Sequence, residues 1–293
     1  ELDYHYSCSR WSHRMGPQEV MESHVRTTFE GSREAQWCLD VELDVSYGPT
    51  ERQKLDVYTQ KNSAGQKGSP IFVHIHGGYW QEKVITKDNS SFMAIALTAA
   101  GATVIVIDYE QCPDVSLDEI VAEVKQALYF VFKLAKERQS SGIYLCGHSA
   151  GAHLAALMLM TSFQDDDAFD SELIKGAVLV SGVYDLRPLV KTSINDALKL
   201  TEEDAWCFSP ANFVRDIARH SSQRDILIVV GECDPPEFRR QSGEFEKSLR
   251  DCGLQTRYMD IPDTDHFNVI EKLQSSSYSL TKECLRLMGL NSK

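Results

Sequence analysis

The sequence has no C-x-x-C pair, no closely spaced Cys/His ligand set, no internal repeat and no low-complexity stretch. Each absence removes a class of protein. The eight cysteines (Cys8, Cys38, Cys112, Cys146, Cys207, Cys233, Cys252 and Cys284) are scattered, which disfavours a disulfide scaffold and a zinc site. Free thiols in a reducing compartment are expected instead. Long apolar runs are also missing. Leu154–Met160 and Ile226–Val230 fall well short of the roughly 18 residues a spanning helix needs. Cations are scarce: 30 Lys+Arg stand against 43 Asp+Glu, a net charge of -13. That balance repels a phosphate backbone and an anionic lipid surface, so neither nucleic acid nor membrane is expected as a partner. No signal-peptide pattern opens the sequence as it stands, which begins at Glu1.

What is present is the composition of a globular protein. Hydrophobic residues make up 42% of 293, enough for a sizeable core in one large domain or two small ones. Residues 1–36 are polar and read as a helical segment, with Pro17 near the start of a helix that reaches Ala35. From Leu39 to Val45 apolar and polar residues alternate, and Lys54 to Tyr58 repeat the alternation after Gly48-Pro49. The two predict an antiparallel hairpin. Residues 60–69 read as an exposed loop.

After Pro70 the texture changes. Continuous apolar strands are expected at 71–76, 103–109, 143–147, 176–181 and 226–231, with a weaker one at 256–261. Helices are expected at about 88–99, 117–138, 150–161 and 237–251. Unbroken apolar strands alternating with helices imply a parallel sheet covered on both faces. The whole is an α/β fold with an eight-stranded, mostly parallel sheet over residues 37–293. The stretch 185–221 is longer than one crossover needs and is the candidate cap.

Gly147-His148-Ser149-Ala150-Gly151 matches G-x-S-x-G between an expected strand and an expected helix. A serine on that sharp turn stands clear of the sheet, and the glycines let strand and helix meet. Without catalysis the motif would be a glycine-rich turn with an incidental serine. A serine hydroxyl needs a base to take its proton. Of nine histidines, His266 follows the last strand at the carboxyl end of the sheet, where sites on open α/β sheets lie. The acid should fall between serine and histidine in the chain. Asp234, just past the strand 226–231, is preferred. Glu232 is the runner-up, and Asp263 and Asp265 share the loop of His266. Asp234 could equally cap the helix after Pro235.

His76-Gly77-Gly78-Tyr79-Trp80 closes an earlier strand. Two glycines allow close backbone approach. The amides of Gly78 and Tyr79, with that of Ala150 after the nucleophile, would make an oxyanion hole. A cysteine nucleophile at Cys146 or Cys233 is disfavoured, since neither has an arranged base.

Together these pieces resemble the α/β-hydrolases from about residue 39 onward. Hormone-sensitive-lipase-type esterases carry His-Gly-Gly-Gly, whereas here the third glycine is Tyr79. His-Gly-Gly-x-Trp and the run Gly147 to Leu154 resemble the vertebrate-type kynurenine formamidase (arylformamidase) family. The resemblance implies hydrolysis of N-formyl-L-kynurenine to L-kynurenine and formate in tryptophan breakdown. It implies Ser149, Asp234 and His266 as the triad, no cofactor or metal, a homodimer, and a cytosolic location that leaves the nucleus open. An aromatic leaving group would want an apolar slot, for which Trp80 and Tyr184 are the candidates, with Tyr79 and Trp206 beside them. The rival readings are a short-chain carboxylesterase on the same fold and a non-catalytic interaction module. Residues before about 36 acquire no role from the resemblance.

Overall fold

The computed structural model describes residues 1–63, 67–161 and 170–291. Part of the loop expected at 60–69, residues 64–66, lies outside that set. Elements follow in chain order. Helices α1 (Leu2–Tyr6) and α2 (Pro17–Cys38) precede strands β1 (Asp40–Ser46), β2 (Lys54–Thr59) and β3 (Ile71–Ile75). Helix α3 (Ala94–Ala99), β4 (Thr103–Ile107), α4 (Leu117–Glu137), β5 (Ile143–His148), α5 (Ala150–Met160) and β6 (Ile174–Val180) come next. Three short helices, α6 (Asn195–Leu198), α7 (Glu202–Cys207) and α8 (Val214–His220), fill the region expected to be a cap. The chain closes with β7 (Asp225–Cys233), α9 (Pro236–Asp251), β8 (Thr256–Asp265), α10 (Asn268–Glu271) and α11 (Ser279–Leu287).

The eight strands form one sheet in the order β1-β2-β4-β3-β5-β6-β7-β8. Strand β2 pairs antiparallel with both β1 and β4, and every pairing from β4 onward is parallel. Strands β3, β4 and β5 are buried throughout and β6 and β7 nearly so, as their apolar sequences require, whereas the edge strand β8 is largely half-buried or exposed. Alternate residues feed two cores. Ile71, Val73 and Ile75 of β3 face the core that holds α4 and α5, while Phe72 faces the one that holds α3 and α11.

Local sequence explains the helices. Helix α4 starts at a capping box in which Ser116 and Glu119 satisfy each other's backbone donors, worth about 1 kcal/mol. Its buried residues Leu117, Ile120, Val124, Leu128, Val131 and Ala135 recur at helical spacing. Helix α5 is buried almost throughout. One expected helix is shorter than its sequence pattern. Residues 88–99 begin with a 3-10 turn at Lys87–Asn89, and α3 itself starts only at Ala94. The Asn89 side chain closes a capping box with Thr86, and the Ser91 amide donates to Ser32 Oγ on α2 at 3.0 Å, so the backbone there is held by other partners.

Candidate active site

Strand β5 is followed by Ser149, whose backbone takes φ 56° and ψ -119° before α5 begins. That is a strained conformation for a residue with a side chain. The flanking glycines are forced by space. A Cβ on Gly147 would lie 2.1 Å from Gly151 O, and one on Gly151 would lie 1.9 Å from Ile75 O. The turn is fastened to the next strand, since the Ser149 amide donates to Val180 O at 2.9 Å. The Ala150 amide is the first of α5 and has no carbonyl a turn behind it, which leaves it available to a ligand.

His266 follows β8, and Asp234 follows β7. Their side chains meet: His266 Nδ1 lies 2.6 Å from Asp234 Oδ1. The other carboxylate oxygen accepts from Ser181 Oγ and from the Gly231 amide, both at 2.6 Å. Asp234 is therefore fixed at three points and almost fully buried. His266 is sealed among the rings of Phe238, His148 and Phe267. Burial opposes a charge on its imidazole. The Cys8 sulfur and the Asp234 carboxylate outweigh it and push the pKa up to about 10. His148 is kept neutral by burial, and its Nε2 donates to His266 O at 2.7 Å, which anchors the histidine loop to the elbow.

The alternative acids are occupied elsewhere. Glu232 accepts from the Asp263 amide at 2.8 Å, and Asp263 is exposed beside His13. Asp265 is sealed, but its oxygens are taken by Arg14, Ser12 and the amides of Phe267 and Asn268. Those donors, with Arg14 foremost, overcome burial and hold its carboxyl well below the usual range.

The loop after β3 is pressed against the elbow. A Cβ on Gly77 would lie 2.8 Å from His148 O and 3.1 Å from Ser149 Cβ. Gly78, Tyr79 and Trp80 all have positive φ, at 100°, 46° and 59°. The turn is closed by the Gln81 and Glu82 amides, each 2.9 Å from Gly78 O. His76 anchors its base: the ring stacks on Tyr109 at 4.3 Å, and Nε2 lies 2.9 Å from Asp108 Oδ1.

Ser149, His266, Gly77, Gly78 and Tyr79 line one cavity of about 520 Å³. Among the described residues Ser149 Oγ makes no hydrogen bond to His266.

Two aromatic expectations are corrected. Trp80 does not line the cavity; it is fully buried, with its ring edge-on to His153 at 4.9 Å. Tyr184 is also core, stacked on Phe245 of α9 at 4.2 Å. Its amide and that of Asp185 both donate to Gln241 Oε1, which ties this strand exit to α9 and turns the ring inward. Trp206 packs under the Arg187 guanidinium at 4.0 Å, away from the cavity. Of the four candidate aromatics, Tyr79 faces the site.

Sequence reasoning missed the first 36 residues. Tyr79 Oη donates to Tyr6 O at 2.7 Å, and Tyr6 Oη donates to Glu237 Oε2 at 3.1 Å. Cys8 Sγ donates to Tyr6 O at 3.9 Å, and the sulfur favours the protonated forms of both His266 and Tyr79. Cys8, Arg10, His24 and Thr28 line the cavity. No local pattern announces such contacts, because the partners lie some 70 to 250 residues away.

A sheet of this order, with a nucleophile elbow after β5, an acid after β7 and a histidine after β8, defines an α/β-hydrolase. A family profile described as BD-FAE matches residues 55–249. The chain is 42% identical to a kynurenine formamidase of Danio rerio, over 99% of this chain and 96% of that protein. It is 32% identical to a kynurenine formamidase of Drosophila melanogaster, over 91% and 89% of the two chains. The crystal structure of esterase B from Lactobacillus rhamnosis superposes with a TM-score of 0.70 at 17% identity, covering 94% of this chain and 96% of that one, and shares the fold. The chain belongs to the BD-FAE family and to the kynurenine formamidases.

Proposed function

We propose that this chain hydrolyses N-formyl-L-kynurenine to L-kynurenine and formate, with Ser149, His266 and Asp234 as nucleophile, base and orienting acid. The reading is carried by the 2.6 Å contact between His266 and Asp234 on the cavity that holds Ser149. His266 Nε2 takes the Ser149 proton as Oγ attacks the formyl carbon. Asp234 holds Nδ1 protonated and stabilises the imidazolium. The oxyanion rests on the amides of Gly78, Tyr79 and Ala150. The C–N bond then breaks, His266 gives its proton to the departing aryl amine, and formyl-serine remains. Water, deprotonated by the same imidazole, attacks that ester, and formate leaves as the proton returns to Ser149. A formyl carbon carries only hydrogen beside its oxygen, so a tight acyl side suits it, and Tyr79 in place of a third glycine narrows that side.

Kynurenine formamidase relatives at 42% and 32% identity support this substrate over longer-chain esters. The eight free cysteines support a cytosolic location, with the nucleus as the other reducing compartment. Among the described residues no helix is long and apolar enough to cross a membrane. A homodimer belongs to the same reading, and light scattering tests it. The deciding assay follows kynurenine release from N-formyl-L-kynurenine beside a p-nitrophenyl ester series from acetate to octanoate. Turnover of the formyl compound, with activity falling along the series, supports the formamidase. Inert formyl compound with good cleavage of long esters moves the chain to the general esterases.

A further inference from the structure

The cavity rim carries two opposite charges that do not neutralise each other. Arg10, in the 3-10 turn Cys8–Trp11, is the one lysine or arginine lining the cavity among the described residues. No described carboxylate pairs with it. Asp3 of α1 lines the same cavity, and Ser193, which also lines it, fixes its carboxylate. Its Oδ1 accepts from the Ser193 amide at 2.8 Å and from the Ser193 hydroxyl at 2.6 Å. The hydroxyl bond, then the amide bond, hold this carboxyl below its usual range, so it is ionised at neutral pH. Glu1 and Glu82 also line the cavity, but neither carboxylate is held by a partner among the described residues.

An α-amino acid presents an ammonium and a carboxylate on one carbon. Its receptor therefore needs an anion and a cation close together but kept apart from each other, since a paired couple would have to be broken first. Arg10 and Asp3 both line the cavity that Ser149 lines, and among the described residues no ion pair joins them. A guanidinium matches a carboxylate with two parallel hydrogen bonds and stays charged at every working pH. In a chain of net charge -13, an unpaired cation lining the cavity also selects for an anionic substrate end.

We propose that Arg10 binds the α-carboxylate and Asp3 the α-ammonium of the substrate's amino-acid end, so that the N-terminal segment sets specificity among formyl aryl amides. The assignment rests on the formamidase reading above. Neither residue touches the reacting atoms; both act on substrate capture.

Three substrates test it: N-formyl-L-kynurenine, its decarboxylated analogue, which keeps the ammonium, and its deaminated keto acid, which keeps the carboxylate. Arg10→Ala is expected to lower kcat/KM about tenfold or more on the two carboxylates, mainly through KM. The penalty should vanish on the decarboxylated analogue, and Arg10→Lys should recover part of it. Asp3→Asn keeps an oxygen for Ser193 and should penalise the two ammonium substrates while sparing the keto acid. Equal penalties on all three substrates, or none on any, overturn the assignment. A failure of the formamidase reading looks different. The wild type would then cleave none of the three formyl compounds while still hydrolysing p-nitrophenyl acetate, and both proposals would fall.

Discussion

Arg14 grips both oxygens of Asp265, at 2.8 and 3.1 Å, across 251 residues of sequence. Asp265 precedes His266, and its carboxylate also accepts from the Phe267 and Asn268 amides. The N-terminal segment is thereby bolted to the loop that presents the histidine. Asp265 is fully buried, so removing the guanidinium leaves a sealed charge with fewer partners. Arg14→Ala is expected to cost roughly 2–3 kcal/mol, read from a urea midpoint, and to lower activity with it. The folded state depresses this carboxyl, so its contribution is present above the unfolded pKa of about 3.9 and is lost as pH falls through the lower folded value. Arg14→Ala should therefore move acid unfolding to higher pH.

The roles proposed for Ser149 and Asp234 separate by magnitude. Ser149→Ala is expected to lower kcat by a factor on the order of 10⁶ with the fold intact, and Asp234→Asn by roughly 10⁴. Glu232→Gln retains an acceptor for the Asp263 amide and should leave kcat within about threefold. Steady-state kinetics on purified variants decide it. An Asp234→Asn enzyme near wild type, beside a crippled Glu232→Gln, would reverse the assignment of the acid.

Trp80 belongs to the core rather than to the substrate slot. Trp80→Phe shortens a fully buried ring that packs on His153, so a stability loss of about 1–3 kcal/mol is expected. KM for N-formyl-L-kynurenine should stay within about twofold. A large rise in KM with unchanged melting temperature would return Trp80 to the binding site.

These contrasts show what kind of information the chain carries locally. The strands β3 to β7 are legible because a strand buried on both faces must be apolar nearly without interruption. The elbow is legible because Gly147 and Gly151 answer steric demands inside a five-residue window. Trp80 and Tyr184 are not, since an aromatic ring suits a core and a pocket equally well and only tertiary packing decides between them. The N-terminal segment is least legible. Arg14 and Cys8 act on a histidine loop some 250 residues distant, and neither spacing nor periodicity marks a residue for such a contact. The shortened helix before Ala94 has a related cause, a hydroxyl on α2 that claims the Ser91 amide.

Cys8 gives the last prediction, which concerns pH. A general base must be neutral to accept a proton, so kcat/KM rises as His266 loses its own. Burial alone would make that loss easy; the Cys8 sulfur and Asp234 make it harder by favouring the imidazolium. The acid limb of the free enzyme should therefore lie above the ordinary histidine pKa of about 6.5. Cys8→Ser replaces the sulfur that bears on His266 with a smaller hydroxyl oxygen. The limb should then move to lower pH, while Asp234 still holds it above where burial by itself would place it. The kcat/KM profile for the formyl substrate, taken from pH 5 to 11 on both proteins, reads the shift directly. An unmoved limb would mean that Cys8 does not act on His266 in solution, and the raised basicity would then fall to Asp234.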